Sequence, residues 1–439
     1  MPISSTRACE QEISFNSNTG YRMKILMISL NYAPEVSGIG KYSSELAEWF
    51  ARKGHIVRVI TASPYYPGWR VQEGYSARKF STESINDVSV TRVPFWCPRR
   101  PNGVKRLIHL MSFSLAAALP AIARVRWRPD LVWVVEPPLF ASPFALLTAR
   151  LSGALCWLQI QDYEVDAAFK LGMLKGNAVK KLCLKFERSL LARMDGVSAP
   201  SAAMTQIAAA KGVPNEKLSL VPNWVDTGRI RPLGRASAFR ARLGIGENVI
   251  VVLYSGNLGA KQGLELLPEA AHRLVHRRDI VFVICGNGPA KDYLSAKAAE
   301  LPNIKLIDMQ PNKRFNELMG LADIHALPQR ADAADIVMPS KLGGMLSSAR
   351  PVIATAAEHT ELWNIVRSVG VVTEPGNATA LAEAIVHLAN DPALRERLGS
   401  LGRSYATTHL SREKILAAFE SRVVIELQKK RDVSDRVIT

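Results

Sequence analysis

Val249-Ile-Val-Val-Leu-Tyr-Ser255, followed by Gly256-Asn-Leu-Gly-Ala-Lys-Gln-Gly263, reads as a buried strand, a glycine-rich turn and a helix starting near Leu264. An unbroken apolar run suits a parallel strand covered on both faces. Gly256, Gly259 and Gly263 let the backbone turn sharply and approach a ligand closely. The helix that follows offers free N–H groups and the positive end of its dipole. Lys261 adds a full charge at the same place. Together these features suit an anion such as a diphosphate. An ordinary strand–loop–helix connection with a solvated lysine fits the same residues.

A second unit of this kind stands near the start. Met23-Lys-Ile-Leu-Met-Ile-Ser-Leu30 is a strand, and Asn31–Gly40 is a loop ending in Gly38 and Gly40. A helix follows from about Lys41, with Leu46, Ala47 and Phe50 on one face. Two such units predict two nucleotide-type domains facing each other across a cleft. The 439 residues suit two domains of roughly 200 residues each. An apolar share of 48% supplies their cores, and a formal net charge of +17 calls for an anionic partner. Nucleic acid, an anionic membrane surface and phosphorylated substrates all meet that need. The cysteines (Cys9, Cys97, Cys156, Cys183, Cys285) form no C-x-x-C pair, as expected of reduced thiols in a cytosolic protein. Residues 1–22 contain Glu10 and Glu12 and no apolar stretch of the secretory kind. They are expected to be a disordered extension, or to precede a true start at Met23.

Strand and helix signals then alternate, as in an α/β fold. His55–Thr61 is a strand, and Tyr65-Tyr-Pro-Gly-Trp69 forms an aromatic loop at its carboxyl end, where open α/β sheets bind ligands. From Val88 to Pro129 there is no Asp or Glu, while Arg92, Arg99, Arg100, Lys105, Arg106, Arg124, Arg126 and Arg128 are present. Between the basic clusters lies the apolar stretch Leu107–Ala123, which reads as too short and too interrupted by His109 and Pro120 to span a bilayer. Such a segment lies in a membrane interface or buries itself in a domain with solvated basic ends. Asp130–Val135 and Leu155–Ile160 are further strands, the second running into Asp162, Glu164 and Asp166. Carboxylates at a strand's carboxyl end bind hydroxyls, act as a base or stabilise positive charge. An N-cap with acidic first-turn residues uses the same pattern. Pro222-Asn-Trp-Val-Asp226 leads into a linker at 227–234. The second domain continues with strands at Asp279–Cys285, Asn303–Ile307, Asp323–Leu327 and Pro351–Thr355. Pro339-Ser-Lys341 opens a helix there, with Ser340 as cap and Lys341 within reach of a phosphate; Glu361 lies in the following loop. His272 and His276 are four apart but have no third ligand in sight, so no metal site is expected.

In order and spacing, several motifs resemble glycosyltransferase family 4. These are the Gly38–Gly40 loop, Gly54-His55, Pro222-Asn-Trp-Val-Asp226, the Gly256–Gly263 loop with Lys261, Gly286-Asn-Gly-Pro289 and Pro339-Ser-Lys341. The resemblance covers about Met23 to Val424. A narrower set is similar to the fucosyltransferase-like glycosyltransferases of colanic-acid biosynthesis: Gly38–Tyr42, Pro64–Pro67, Arg106–Leu110 and Ile160–Ala167. The chain departs from the wider family at three places. Ile336 and Gly344 stand where many members carry glutamates, with Asp335 nearby; Asn257 replaces a basic residue; Gln161-Asp162 replaces a histidine.

The resemblance implies the GT-B fold, two facing Rossmann-like domains. Their expected extents are 23–228 for the acceptor side and 229–410 for the nucleotide-sugar side, with 411–439 a C-terminal helix and tail. It implies a retaining transfer from a nucleotide sugar, with GDP-fucose the donor suggested by the narrower set, to a lipid-linked glycan. The work is expected at the inner face of a bacterial inner membrane, by a cytoplasmic, peripheral protein that needs no metal cofactor. Donor binding is expected at Gly38, Gly40, Gly256, Asn257, Lys261, Arg330, Ser340, Lys341 and Glu361. Asp162 is the expected catalytic carboxylate. Arg99, Arg100, Lys105 and Arg106 are expected to face acceptor or membrane. A nucleotide-sugar epimerase of the same fold is the rival enzyme. A basic nucleic-acid binder is the rival of another class, although no nucleic-acid module is recognisable.

Overall fold

The computed structural model describes residues 21–35, 38–170, 176–234, 237–259, 262–330 and 339–438. The apolar runs become strands, and burial on both faces makes them parallel. The first domain begins β1 (Lys24–Ile28), α1 (Gly38–Arg52), β2 (Ile56–Ala62), β3 (Ser81–Ile85), β4 (Val88–Val93) and α2 (Gly103–Ala123). It continues β5 (Leu131–Glu136), α3 (Ser142–Ser152), β6 (Leu155–Ile160) and α4 (Glu164–Lys170). It ends with α5 (Asn177–Arg193), β7 (Gly196–Ala199), α6 (Ala202–Ala210) and β8 (Leu218–Leu220). The second domain opens with α7 (Ala238–Leu243), β9 (Ile250–Ser255), α8 (Leu266–Arg273), β10 (Ile280–Cys285), α9 (Lys291–Glu300) and β11 (Ile304–Ile307). Then come α10 (Phe315–Leu321), β12 (Ile324–Leu327), α11 (Lys341–Ser347), β13 (Val352–Thr355) and α12 (Glu361–Val369). Last are β14 (Val371–Thr373), α13 (Ala378–Asn390), α14 (Pro392–His409) and α15 (Arg412–Ile438).

The first sheet has the order β3-β4-β2-β1-β5-β6-β7-β8, the second β11-β10-β9-β12-β13-β14. Every pairing is parallel except β3 with β4. In register, Ile25 of β1 lies between Val57 of β2 and Leu131 of β5. Val252 of β9 lies between Phe282 of β10 and Ile324 of β12. The strand order thus reverses beside β1 in one domain and beside β9 in the other. Those two strands lead into the segments that carry Gly38 and Gly40 in the first domain and Gly256 in the second.

Three features differ from the sequence reading. β3 and β4 form a hairpin whose two turn residues, Asn86 and Asp87, have φ of 47° and 64°. Two left-handed residues match the twist of a tight hairpin, and Asn and Asp tolerate that region. Arg92, counted above among the solvated basic residues, is buried. It donates to the carbonyls of Ala62 (2.9 Å) and Ala33 (2.6 Å) and pairs with Glu83. The α2 segment runs on through a 3₁₀ turn to Trp127, so by length and composition it is long enough to cross a membrane. Its packing sets it on the domain instead: His109, Leu110, Phe113, Ser114, Ala117 and Ala121 are buried.

The chain crosses between domains twice, at one place. Val225 pairs with Ser411, its N–H donating to Leu410 O (2.8 Å), and Arg412 holds Asp226 at 2.9 Å. Trp224 donates to Glu45 (2.7 Å) and packs edge-on against Tyr42. The Pro-Asn-Trp-Val-Asp motif is therefore a hinge clamp. After the second crossing α15 returns to the first sheet, where Leu416, Phe419, Val423, Val424 and Leu427 complete a core with Met23, Trp133 and Trp157. His55 joins the residue before β1 to α15: its Nδ1 accepts from Met23 N, and its Nε2 meets Glu420 at 2.7 Å. The segment from 411, set apart in the sequence reading, thus packs as part of the first domain.

Phe419 is 3% exposed and lies edge-on to Trp133 (4.6 Å) and Trp157 (5.3 Å). Truncating such a side chain costs about 3–5 kcal/mol. Phe419→Ala is expected to unfold the first domain at lower urea, seen as an earlier transition in tryptophan fluorescence.

Candidate functional site

On the second-domain side the site is built around one ammonium group. Lys341 stands at the start of α11, and its side chain crosses over the loop that follows β9. The Lys341 Nζ bonds the Tyr254 hydroxyl, lies 4.3 Å over that ring and donates to Gln262 Oε1 at 2.9 Å. A Cβ on Gly256 would fall 2.4 Å from Lys341 Cε, so any other residue here pushes the end of the lysine aside. Burial lowers the Lys341 pKa to about 7. The φ of Gly256, 146°, lies in territory that side chains rarely adopt.

The loop's own N–H groups are partly engaged. Gly256 N donates to Cys285 O and Leu258 N to Asn287 O, both at 2.9 Å. A Cβ on Gly286 would lie 1.9 Å from Gly256 O, and one on Gly288 2.7 Å from Leu258 O. The two glycine motifs therefore serve first to pack two loops backbone to backbone. The α-helix begins at Leu266 rather than Leu264, after a tighter turn in which Leu266 N donates to Gly263 O. Asn257 is exposed at the loop tip, and Arg330 is exposed with its Cγ 3.5 Å from where a Gly263 Cβ would be. Ser340 is exposed beside the Tyr42 ring system of the first domain. Lys261, Asp335 and Ile336 lie outside the described residues.

Glu361 takes a position that the sequence did not suggest. It opens α12, with Thr360 Oγ1 accepting from Trp363 N, and its carboxylate turns toward the first domain. Burial raises its pKa, and the N–H groups of Ala203 and Ala202 and the Ser201 hydroxyl offset part of the rise. In this arrangement it faces the N-terminus of α6. A cavity between the domains begins here, with Pro222, Asn223, Pro339, Glu361 and Tyr405 among its walls.

On the first-domain side the carboxyl edge of the sheet gathers Glu35, Tyr65, Glu136 and Asp162. Gly38 (φ 59°) opens α1, 3.9 Å from the Tyr66 ring as measured from a Cβ built on it. Gly40 is required by Glu35: a Cβ there would fall 2.9 Å from Glu35 Cβ and 3.0 Å from its Oε2. Glu35 Oε1 accepts from Tyr65 N and Tyr66 N, and Oε2 from Asn31 Nδ2, all at 2.8 Å. The sequence reading passed over Glu35, although an acid between Pro34 and the glycines was the available signal.

Of the three carboxylates after β6, two act inside the domain. Glu164 Oε2 accepts from Leu139 N (2.7 Å), and its own N–H donates to Glu136 Oε1. Burial raises Glu164 to about 7 and holds Glu136 well above the usual carboxylate range. Asp166 pairs with Lys211, which also holds buried Glu187, both at 2.5 Å. Asp162 is half-buried just past the carboxyl end of β6.

The outer side of α2 is apolar and open. Val104, Ile108, Met111, Leu115, Leu119 and Ile122 recur every three or four residues, and Leu115 and Leu119 are 62% and 69% exposed. Leu147 and Leu151 of α3 and Leu182 and Phe186 of α5 are exposed as well. Arg99, Arg100 and Lys105 are exposed at one end of the stripe, Arg126 and Arg128 at the other. Arg106 parts from its neighbours: it is half-buried on the inner side of α2. Among the described residues no group of three or more His, Cys, Asp or Glu is arranged to hold a metal ion.

Comparison with known proteins agrees with this architecture. The glycosyl transferase 4-like domain family matches residues 37–224, and the glycosyl transferases group 1 family matches 236–405. The Escherichia coli K12 protein named as a colanic acid biosynthesis glycosyl transferase, WcaI, is 40% identical over 407 residues, 90% of this chain and 98% of WcaI. Thermosynechococcus elongatus sucrose-phosphate synthase superposes with a TM-score of 0.72 at 17% identity, covering 93% of this chain and all of that one. Anabaena HepE, solved in complex with UDP-glucose, superposes with a TM-score of 0.63 at 16% identity, covering 94% of this chain and 100% of its own. With two facing Rossmann-like sheets and both halves matched, the chain belongs to the GT-B glycosyltransferases of the family 4 and group 1 type, and it is a glycosyltransferase.

Proposed function

We propose that the protein moves a sugar, with retention at the anomeric carbon, from a nucleotide sugar to a hydroxyl of a lipid-linked glycan. The setting is exopolysaccharide assembly of the colanic-acid type, with GDP-fucose as donor. The observation that carries the reaction class is the Lys341 ammonium crossing Gly256 at the point where the second sheet reverses its strand order. In the step, the bond between the anomeric carbon and the diphosphate oxygen breaks, and its electron pair leaves with the diphosphate. The acceptor oxygen bonds the same carbon from the same face, and its proton passes to the departing oxygen. Negative charge grows on the diphosphate, which a preplaced ammonium in a water-poor site stabilises. Arg330 adds positive charge on the same side, Lys261 is the further donor-binding cation expected from the sequence, and no metal is needed for that task. Asp162 orients the acceptor hydroxyl or supports positive charge on the sugar. The UDP-glucose bound to HepE supports a nucleotide-sugar donor. WcaI's name supports the pathway, and the motifs shared with fucosyltransferase-like enzymes support the sugar.

The exposed stripe of α2 lies in an anionic membrane surface at the cytoplasmic face of the inner membrane. Its apolar residues enter the interface, and Arg99, Arg100 and Lys105 meet the headgroups. Neither an epimerase nor a nucleic-acid binder needs an apolar stripe between basic ends.

The deciding experiment is thermal stabilisation by GDP, UDP, ADP and dTDP. At a hundred times its dissociation constant a ligand adds about 2.7 kcal/mol. A GDP-selective shift, followed by transfer from GDP-fucose, supports the reading; a UDP-selective shift removes the fucose assignment. Two variants probe the lysine. A charge-assisted bond contributes about 1.5–3 kcal/mol, so Lys341→Met is expected to weaken nucleotide binding roughly 10- to 100-fold. Gly256→Ala, which displaces the lysine, is expected to weaken it too.

The pH dependence follows from burial. With a pKa of about 7 the lysine is about half neutral at pH 7 in the free protein. A bound diphosphate favours the ammonium and raises that pKa. Binding therefore takes up a proton, and affinity falls as pH rises above 7. Calorimetry in buffers of different ionisation enthalpy reads the uptake, and Lys341→Met abolishes it. For the membrane, a triple variant Arg99→Glu, Arg100→Glu, Lys105→Glu is expected to stop sedimenting with phosphatidylglycerol vesicles while still binding nucleotide. Unchanged sedimentation would remove the membrane reading.

A further inference from the structure

Arg106 is the one member of the basic cluster at 99–106 that is half-buried rather than exposed. It lies in the first turns of α2, three residues before His109 and four before Leu110, and so shares their inward face. His109 is buried: Nε2 meets the Tyr65 hydroxyl at 2.9 Å, and Nδ1 meets Trp96 O at 2.6 Å. These bonds fix the helix against the loops after β2 and β4. On its other side α2 packs against the turn at Leu139–Ala141, whose first N–H is held by Glu164. Arg106 therefore stands between the loop after β2 and the loop after β6. Its charge is felt at both. Burial raises the pKa of Tyr66 and of Glu164, and the Arg106 charge offsets part of each rise. Yet among the described residues the guanidinium makes no hydrogen bond or ion pair, whereas buried Arg92 and Arg240 have carboxylate and carbonyl partners. None of the Arg106 guanidinium nitrogens is among the buried polar atoms that lack a partner, so the unpaired group still meets solvent and is open to an anion.

We propose that Arg106 is the anion-binding residue of the acceptor subsite, and that it takes a phosphate group at the lipid end of the acceptor. This rests on the lipid-linked acceptor reading above. The placement selects the lipid end. Ile108 and Met111 on the outer side of the same helix belong to the apolar stripe, so only about half a turn to one and a half turns of helix separate Arg106 from the membrane-facing surface. A lipid held by the stripe brings its headgroup phosphate to the N-terminal end of α2, and the attached sugar then extends toward Asp162. Arginine's planar fork suits a phosphate better than a point charge does.

The test is calorimetric binding of farnesyl diphosphate, farnesol and methyl glucuronide in a Lys341→Met background, so that the nucleotide-diphosphate site contributes little. Arg106→Gln is expected to weaken farnesyl diphosphate binding at least tenfold, to leave farnesol binding and phosphatidylglycerol sedimentation unchanged, and to be partly rescued in Arg106→Lys. Equal affinity for farnesyl diphosphate with and without Arg106 overturns the proposal. So does an Arg106-dependent affinity for methyl glucuronide alone, which would assign the arginine to an acidic sugar. A fall in farnesol binding equal to that for farnesyl diphosphate marks a structural role and overturns it too. If Arg106→Gln fails to fold, Arg106→Lys decides: a loss for farnesyl diphosphate with farnesol unchanged supports the proposal, and full affinity counts against it. Because no donor is present, failure of the donor assignment and failure of this one are separately visible.

Discussion

A parallel sheet that winds outward in both directions from one strand leaves a gap where successive crossovers part to opposite faces. Backbone and side chains at the carboxyl end of that gap lack a covering helix, so a ligand meets the chain there. This molecule has two such gaps, beside β1 and beside β9. The loop with Gly38 and Gly40 follows β1, and the loop with Gly256 follows β9. Everything assigned to chemistry, from Asp162 to Lys341, sits on one of these two edges. The hinge formed by Val225 with Leu410 and Ser411 joins the domains that carry them.

Glycine spacing is usually read as a cradle for phosphate. Here the physical reasons differ from one glycine to the next. Gly40 leaves room for the Glu35 carboxylate, Gly286 and Gly288 leave room for the neighbouring loop's backbone, and Gly256 leaves room for a lysine side chain. In each case a Cβ would come within 3.0 Å of its neighbour. Two of the loop's N–H donors already bond carbonyls across the pair of loops. In the donor-binding role proposed for the second domain, Lys341, carried over that loop by a different helix, therefore counts for more than the N–H groups of the loop itself. A motif can mark the right place for a reason other than the one it suggests.

Much of the architecture was legible. Apolar strands such as Val249–Ser255 and Asp279–Cys285 announced themselves because burial on both faces demands unbroken Val, Ile and Leu. β3 escaped because its Ser-Thr-Glu-Ser-Ile pattern belongs to an edge, where half the residues meet water. The Asn86-Asp87 turn was the missed signal. The site was legible in position and less so in detail. Lys341 and Gly256 were both marked, but their contact joins residues 85 apart and follows only from the fold. Glu361 was marked for the donor and turns to the first domain, because its helix begins opposite α6. Arg92 and Arg106 looked like their solvated neighbours because local charge density does not say which side of a strand or helix faces the core.

Helix α2 shows how one segment carries two kinds of information. Its composition alone is nearly that of a membrane span, and its two faces are both apolar enough to obscure helical periodicity. The inward face is distinguished by polar groups that find partners: His109 with Tyr65 and Trp96, Ser114 with Leu110 O. The outward face is apolar and has no covering element among the described residues, and its charges gather at the ends. A buried face tolerates polar side chains only when their hydrogen bonds are met. A face in a lipid interface instead excludes them from its middle and admits cations at its edges. The distribution of paired and unpaired polar groups therefore separates the two faces where hydropathy does not. By the same criterion Arg106, inward but unpaired, belongs to neither the core nor the membrane surface, which leaves the cleft.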